Sequence, residues 1–572
     1  MASTLPKLPV LEAIARHDPK STAVVHSVSG RTFTYGELLS DVADARDKLR
    51  QHAPSKEGLD GQRVAFLVEN SYDYVVTFLS ILSSNSIAVP LAATFPAPEL
   101  RYIIDNSQAS VLLSSAKFQD KAQEIVKEGL EEAKPAVGIL EKRLGGAAGS
   151  NGAERVQLTD IGHAKSGLML YTSGTTSRPK GVLLPESTLT AQCQSLSEAW
   201  RYSPKDRLLH VLPLHHIHGT INALMTPLFA GSTIEFMFPF NVKSAWDRLA
   251  APFQKDGGSK EKITFLTVVP TIYNRFLSSH SDLPPELKST IKEALLPKNL
   301  RLNISGSAAL PTPTKAAWSE LSGGNVLLER YGMTEVGMAL SCGLDFSDRV
   351  DGSVGWPLPS VEARLVDSES NEVIKPGEEN DKDGKPRVGE IQLRGPTIFR
   401  EYWRNEKATE EEFVTGDDGK GKWFKTGDVA IRQHVDGAGK SDQSWAKGPM
   451  YFIQGRKSVD IIKTGGEKVS ALEIEREMLS LPQVSEVAVV ALPSEQWGQK
   501  VAAIVVLDPE HANTGRGGKQ WGAMDMRRAL KEKLANYKIP QELKILENGM
   551  PRNAMGKINK KSLVKEVFPE AT

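Results

Sequence analysis

Between Leu168 and Val182 the chain reads LMLYTSGTTSRPKGV, where Thr172, Ser173, Thr175, Thr176 and Ser177 crowd around Gly174 and lead to Arg178 and Lys180. Small donors on a glycine turn, with a cation beside them, can cradle phosphate through backbone N–H groups, hydroxyls and an ammonium. The pattern is not a P-loop, because no Lys–Ser/Thr pair closes a Gly-x4-Gly run. A second cluster, LLERYGMTEVG at 327–337, offers Tyr331 as a stacking ring, Thr334 as a donor to phosphate and Glu335 as a hard oxygen for Mg2+. In WFKTGDVA, Asp428 follows a turn glycine and suits ribose hydroxyls, as acidic residues do in other nucleotide sites. Near the end, NAMGKINK sets Lys557 on a glycine turn, from which a point charge can swing toward a phosphoryl oxygen. His215, His216 and His218 of HHIH follow a strand with no cysteine or carboxylate beside them, so a metal site there is not expected.

These clusters need elements to hold them. Short β-rich runs recur at 64–68, 110–115, 208–214, 232–238, 263–270 and 300–306, with helices expected at 73–84, 97–106, 117–132, 188–200, 243–253 and 312–321. Strand and helix in alternation predict an α/β architecture of layered, mostly parallel sheets. Open parallel sheets bind ligands at the carboxyl ends of their strands, where several of the polar clusters begin. From about residue 455 onward a different pattern sets in: a helix near 470–480, strands at 484–492 and 501–507, a helix at 524–535 and a last strand at 543–546. We therefore expect an N-terminal domain over 1–454 and a small, mobile α+β cap domain over 455–572. Two polar loops, 368–389 and 433–449, read as surface connections.

At 572 residues the chain exceeds one compact core. Lys+Arg and Asp+Glu both number 70, which gives no electrostatic case for nucleic acid as a partner. Two cysteines, Cys193 and Cys342, build neither a disulfide scaffold nor a zinc motif and fit a reducing compartment. The most apolar window, 75–93, is broken by Asn85, Pro90 and four serines, so it reads as a buried helix and strand rather than a membrane span. A cytoplasmic enzyme acting on small molecules, monomeric or weakly self-associating, is expected.

Taken together, YTSGTTSRPKGV, ERYGMTE, WFKTGD, GRKSVDIIKTGGEKVSALEIE and PRNAMGKINK occur in the order and spacing of the acyl-adenylate-forming superfamily. That group holds acyl-CoA synthetases, peptide-synthetase adenylation domains and beetle luciferases, and the resemblance spans nearly the whole chain. Within it, HVLPLHHIHGTINAL, RLNISGSAALP, LLERYGMTEVGMALS and FREYW are similar to the malonyl-CoA synthetases. Ser177 stands where the family often has glycine, as in oxalyl-CoA synthetase-like sequences, and Ser458 where aspartate or lysine is common at the hinge.

The resemblance implies two half-reactions with ATP, Mg2+ and coenzyme A: a carboxylate takes AMP from ATP with loss of pyrophosphate, and a thiol then displaces AMP. It implies that Thr172, Ser173, Gly174, Thr175, Thr176 and Lys180 hold the β- and γ-phosphates. Glu335, with Thr175, would hold Mg2+, and Thr334 would lie near the α-phosphate. Gly306, Ser307, Ala308, Arg330, Tyr331, Gly332 and Met333 would surround the adenine, with Asp428 and Arg456 on the ribose. Lys557 would bridge carboxylate and α-phosphate before rotation near Lys457–Ser458 brings Lys463, Gly465 and Gly466 to the coenzyme A tunnel. His216 and His218 would line the acyl pocket. A second carboxylate on the acid demands a buried cation. Arg275, on a helix after a strand end, is the expected clamp, and Arg301, at a strand start, the other candidate. Ligases for oxalate, short fatty acids or aryl acids are the alternative, and after them an adenylating enzyme that loads a carrier protein in trans.

Overall fold

The computed structural model describes residues 4–53, 58–144, 156–172, 178–254, 260–416, 418–552 and 558–571. Its large domain is built on two sheets. In the first, the strands Arg63–Leu67, Ile87–Pro90, Val111–Ser115, Ala136–Leu140 and Gly167–Thr172 run parallel. Lys180–Pro185 and then Glu401–Tyr402 extend this sheet antiparallel at one edge. The second sheet has a parallel half, in the order Leu328–Met333, Leu302–Ser305, Phe265–Val268, Arg207–His210, Thr233–Phe236, Thr22–His26.

The parallel strands are apolar on both faces because both are covered. Leu208, Phe265 and Ile304 join the main core with Leu196 and Trp200 of the helix Glu186–Trp200. Their neighbours Leu209 and Leu266 face the other way, onto Trp246, Tyr273, Phe276 and Trp318 of three further helices. The helix Tyr72–Ser83 is buried along its whole length of 12 residues, about 18 Å at 1.5 Å per residue, and precedes the strand Ile87–Pro90. Its Ser80 and Ser83 hydroxyls donate to backbone carbonyls of the same helix, which lets them lie inside. Among the described residues no helix is long and apolar enough to cross a membrane.

One departure from expectation is the second half of the large sheet. From Gly337–Ser341 onward it is antiparallel, through Ser353–Pro357, Met450–Arg456, Lys422–Gln433, Gly389–Arg394 and Glu362–Asp367. These strands carry Glu390, Gln392, Arg394 and Arg432 among their buried residues, so they lack the apolar runs that marked the parallel half.

The small domain is a five-stranded sheet in the order Glu467–Ser470, Ile461–Thr464, Gly498–Leu507, Val484–Ser494, with Glu542–Ile545 parallel to Gly498–Leu507. Helices Ala471–Leu479 and Ala523–Leu530 cover one face through Ile474, Met478, Met526 and Leu530. The helix Lys560–Val567 covers the other through Leu563, against Ala488 and Val490. At its start Lys560 is held between Asp460 at 2.5 Å and Glu475 at 2.7 Å. Asp460 also accepts from the Arg456 backbone N–H, so the last helix is tied to the turn that leaves the large domain. The loop read as a plain connection at 368–389 touches the small domain: Lys468 lies 2.9 Å from Glu369, and Lys385 3.7 Å from Glu467.

Candidate active site

The hydroxyl-rich loop joins the antiparallel strands Gly167–Thr172 and Lys180–Pro185, whose last paired residues are Thr172 and Lys180. Ser173, Gly174, Thr175 and Thr176 fall outside the described residues, as does Lys557. Lys180 is held at the loop's exit with its ammonium 4.1 Å from the centre of the Tyr402 ring.

Tyr402 leads to the second cluster, since its hydroxyl donates to Glu335 Oε1 at 2.9 Å. Glu335 is 9% exposed, and among the described residues no cation forms an ion pair with it. A buried carboxylate with one oxygen bonded by a neutral hydroxyl and no counter-charge fits a hard divalent cation. The turn bearing Thr334 and Glu335 links Leu328–Met333 to Gly337–Ser341, with a register shift at Tyr331/Gly332. A side chain at Gly332 would meet the Gly337 carbonyl oxygen at 1.9 Å, so this turn closes only on glycine. Gln192, unmarked in the sequence reading, clamps it from the helix beneath. Its amide donates to the Val336 and Met338 carbonyls and accepts from the Met338 N–H.

Tyr331, Asp428 and Arg456 form one unit. The Tyr331 hydroxyl donates to Asp428 Oδ2 at 2.7 Å, while Arg456 Nε lies 3.0 Å from Asp428 Oδ1. Asp428 and Arg456 are paired across adjacent strands, which fixes the contact. Burial raises the Asp428 carboxyl above its ordinary value, with Arg456 and the Tyr331 hydroxyl pulling against it. The Asp428 charge in turn raises Arg456.

A third group lies at the carboxyl ends of the parallel strands. His218, 4% exposed, begins a π-helical stretch and sets one ring nitrogen 2.7 Å from Thr267 Oγ1 and the other 3.3 Å from Ser307 Oγ. Burial, with Arg330 adding to it, holds His218 well below its ordinary value and therefore neutral. Both ring nitrogens are thus engaged by hydroxyls and not set for a metal. His216 lies against His215 with ring centres 4.2 Å apart and the rings tilted by 49°. Ser307 and Ala308 are exposed at the mouth, and Gly306 is buried.

Arg330 donates to Ser307 Oγ at 3.2 Å, is 4% exposed, and has its Nε without a partner. Among the described residues it pairs with no carboxylate, and burial lowers its guanidinium to about 9. Gly306 makes the space, since a Cβ there would lie 2.5 Å from Arg330 Cζ.

The two arginines expected as the clamp are elsewhere. Arg275 is exposed on the helix Pro270–His280, its guanidinium 4.7 Å from the Phe240 ring centre. Arg301 is saturated: Asp206 accepts from its Nε at 2.7 Å and its Nη2 at 2.8 Å, and the Trp200 carbonyl from its Nη1. The assignment of Arg301 to substrate is corrected on that ground.

In the small domain Gly465 and Gly466 form the two-residue turn between Ile461–Thr464 and Glu467–Ser470, at φ 58 and 86. Lys463 is exposed beside them, its backbone N–H donating to Gln499.

Known proteins resemble this chain in sequence and fold. The AMP-binding enzyme family matches residues 11–403, and the AMP-binding enzyme C-terminal domain matches 473–557. A CoA ligase of Gibberella moniliformis is 57% identical over 98% of this chain and 94% of its own length. The mitochondrial malonate–CoA ligase of Homo sapiens is 37% identical over 89% of this chain and 83% of its own. ATP-bound MatB from Rhodopseudomonas palustris superposes with a TM-score of 0.77 at 29% identity, covering 99% of this chain and 100% of that one.

Proposed function

The chain belongs to the AMP-binding enzyme family and is an AMP-forming acid–CoA ligase using ATP and coenzyme A, and on that premise we propose that its acid is malonate. Arg330 carries the reading. A desolvated guanidinium beside Ser307 and neutral His218, without an acid of its own, is matched by an acid with a second carboxylate. The 2-methyl homologue, methylmalonate, shares that group.

In the first half-reaction the free carboxylate of malonate attacks the α-phosphorus of ATP, and the bond to the pyrophosphate oxygen breaks. Positioning and charge neutralisation do the catalysis. Lys180 and the Thr172–Thr176 loop hold the leaving phosphates, Thr334 lies near the α-phosphate, and Lys557 neutralises charge between carboxylate and phosphorus. Asp428 and Arg456 fix the ribose, while Tyr331, Gly332, Met333, Gly306 and Ala308 bound the adenine. Glu335, with Thr175, would hold Mg2+, which when bound offsets the charge of the triphosphate. In the second half-reaction the thiol displaces AMP, after the small domain turns about Lys457–Ser458 and brings Lys463, Gly465 and Gly466 to the tunnel. The division of labour follows residues 1–454 and 455–572. We infer a cytoplasmic location; the human relative is by its name mitochondrial, and fractionation of cells decides between the two.

The test is AMP release by purified enzyme with Mg-ATP and coenzyme A across malonate, methylmalonate, oxalate, succinate, acetate, octanoate and coumarate, with Arg330→Met alongside. Malonate is preferred, and the variant loses about a hundredfold in kcat/KM for it while acetate turnover rises relative to malonate. Preference for oxalate or a monocarboxylate in the unaltered enzyme removes malonate and leaves adenylation intact.

A further inference from the structure

The segment FREYW was similar to the malonyl-CoA synthetases yet carried no role, and the structure gives its tyrosine a specific place. Residues 399–403 sew the strand after the phosphate loop to the turn bearing Glu335. The Phe399 N–H donates to the Glu335 carbonyl at 2.8 Å, the Arg400 N–H to Leu183, and the Trp403 N–H to Gly181 at 2.7 Å. Tyr402 pairs with Val182 in register and is 4% exposed. Its backbone is further fixed by the Thr409 hydroxyl, which accepts from its N–H at 3.0 Å. The side chain then does two things at once. Its hydroxyl donates to one oxygen of Glu335 at 2.9 Å, and its ring face carries the Lys180 ammonium at 4.1 Å.

We propose that Tyr402 is a positioning residue for the phosphate end of the nucleotide site, orienting Glu335 through its hydroxyl and Lys180 through its ring. This rests on reading Glu335 as a metal ligand and Lys180 as a phosphate contact. A carboxylate pinned at Oε1 presents Oε2 without rotating, and the entropy of aligning it is removed before the nucleotide arrives. An ammonium on an aromatic face is held loosely enough to leave for a phosphate oxygen, which attracts it more strongly. One buried ring thereby sets the separation between the site's acid and its cation.

The test uses the full chain and needs no turnover. Mn2+ binding in the presence of α,β-methylene-ATP is followed by electron paramagnetic resonance, and binding of the metal-free analogue by calorimetry. Tyr402→Phe keeps the ring and weakens Mn2+ about tenfold, because a hydrogen bond to a charged group is lost, while metal-free analogue affinity is unchanged. Tyr402→Leu also weakens the metal-free analogue, about three- to tenfold, in line with the loss of a cation–π contact. Should the leucine variant melt below the assay temperature, Tyr402→Met carries the same reading. Unaltered Mn2+ affinity in Tyr402→Phe overturns the role of the hydroxyl, and unaltered metal-free affinity without the ring overturns the role of the face. Glu335→Gln separates the two levels. If it leaves Mn2+ affinity unchanged, the metal-ligand reading itself fails. If it weakens Mn2+ while Tyr402→Phe does not, only the positioning role fails.

Discussion

Cations sit at both ends of the parallel strands, under opposite conditions. At the starting end Arg248 holds Glu235 through two bonds of 2.5 and 2.8 Å, Arg207 approaches the same carboxylate at 3.1 Å, and Arg301 grips Asp206. Burial opposes the Glu235 charge, yet Arg248 and Arg207 prevail and hold the carboxyl below its ordinary value. At the finishing end Arg330 is as deeply buried and, among the described residues, has only the Ser307 hydroxyl as a hydrogen-bond partner. A cation paired with its own acid supports the fold, and one left without an acid is set aside for a ligand. The difference separates scaffold from site more sharply than burial does, since both ends are buried.

The largest break in this contrast is Arg248→Met. It leaves Glu235 with Arg207 as its one arginine partner among the described residues and lowers unfolding free energy by about 3 kcal/mol in urea titration. Arg330→Met, the same substitution at the other end, leaves stability within about 1 kcal/mol or raises it, because the buried charge it removes had no acid to lose. Equal destabilisation by the two variants would erase the distinction. Next in size is a pH effect at the ribose unit. If Asp428 holds the ribose as proposed, ATP contact needs it ionised; burial raises its carboxyl, so binding is present above that raised value and is lost as pH falls through it. Calorimetric affinity for an ATP analogue therefore declines about tenfold at a pH above the ordinary aspartate range, and Asp428→Asn binds weakly with no such step. Arg301→Met costs about 1–2 kcal/mol through lost bonds to Asp206 and leaves acid preference unchanged. The smallest effect belongs to Arg275→Ala, within about 0.5 kcal/mol of wild type and with the same ranking of acids in the AMP-release assay.

The sequence announced one end of the sheet and concealed the other. Parallel strands such as Arg63–Leu67 and Val111–Ser115 are apolar on both faces, and their runs stood out. The antiparallel half, with Glu390 and Arg394 buried along it, has no such run to read. Residues of the candidate site were singled out by type where the expected chemistry demands a type: glycine at 306 and 332, acid at 335 and 428. What a side chain meets in space was not. That Arg301 is saturated depends on Asp206, remote in sequence and just before the strand Arg207–His210, and that Arg330 is not depends on no acid pairing with it among the described residues, which no linear spacing displays. Gln192 and Tyr402 were hidden in the same way, because each acts on a turn more than sixty residues away in sequence.

The hydroxyl-rich loop leaves from Thr172 and returns at Lys180, and the next helix begins only after a further strand, at Glu186. In strand-to-helix phosphate loops the peptide dipoles of a helix point their positive end at the anion. Here that end is already matched by Glu186, a buried carboxylate in the first turn that accepts from the Thr190 hydroxyl at 2.6 Å. On the proposed reading the hairpin holds pyrophosphate by the formal charge of Lys180 and by individual donors, with no helix start directly after it. Ion pairs made by a lysine weaken with added salt, so on the same reading the departure of pyrophosphate is a step that ionic strength can hasten.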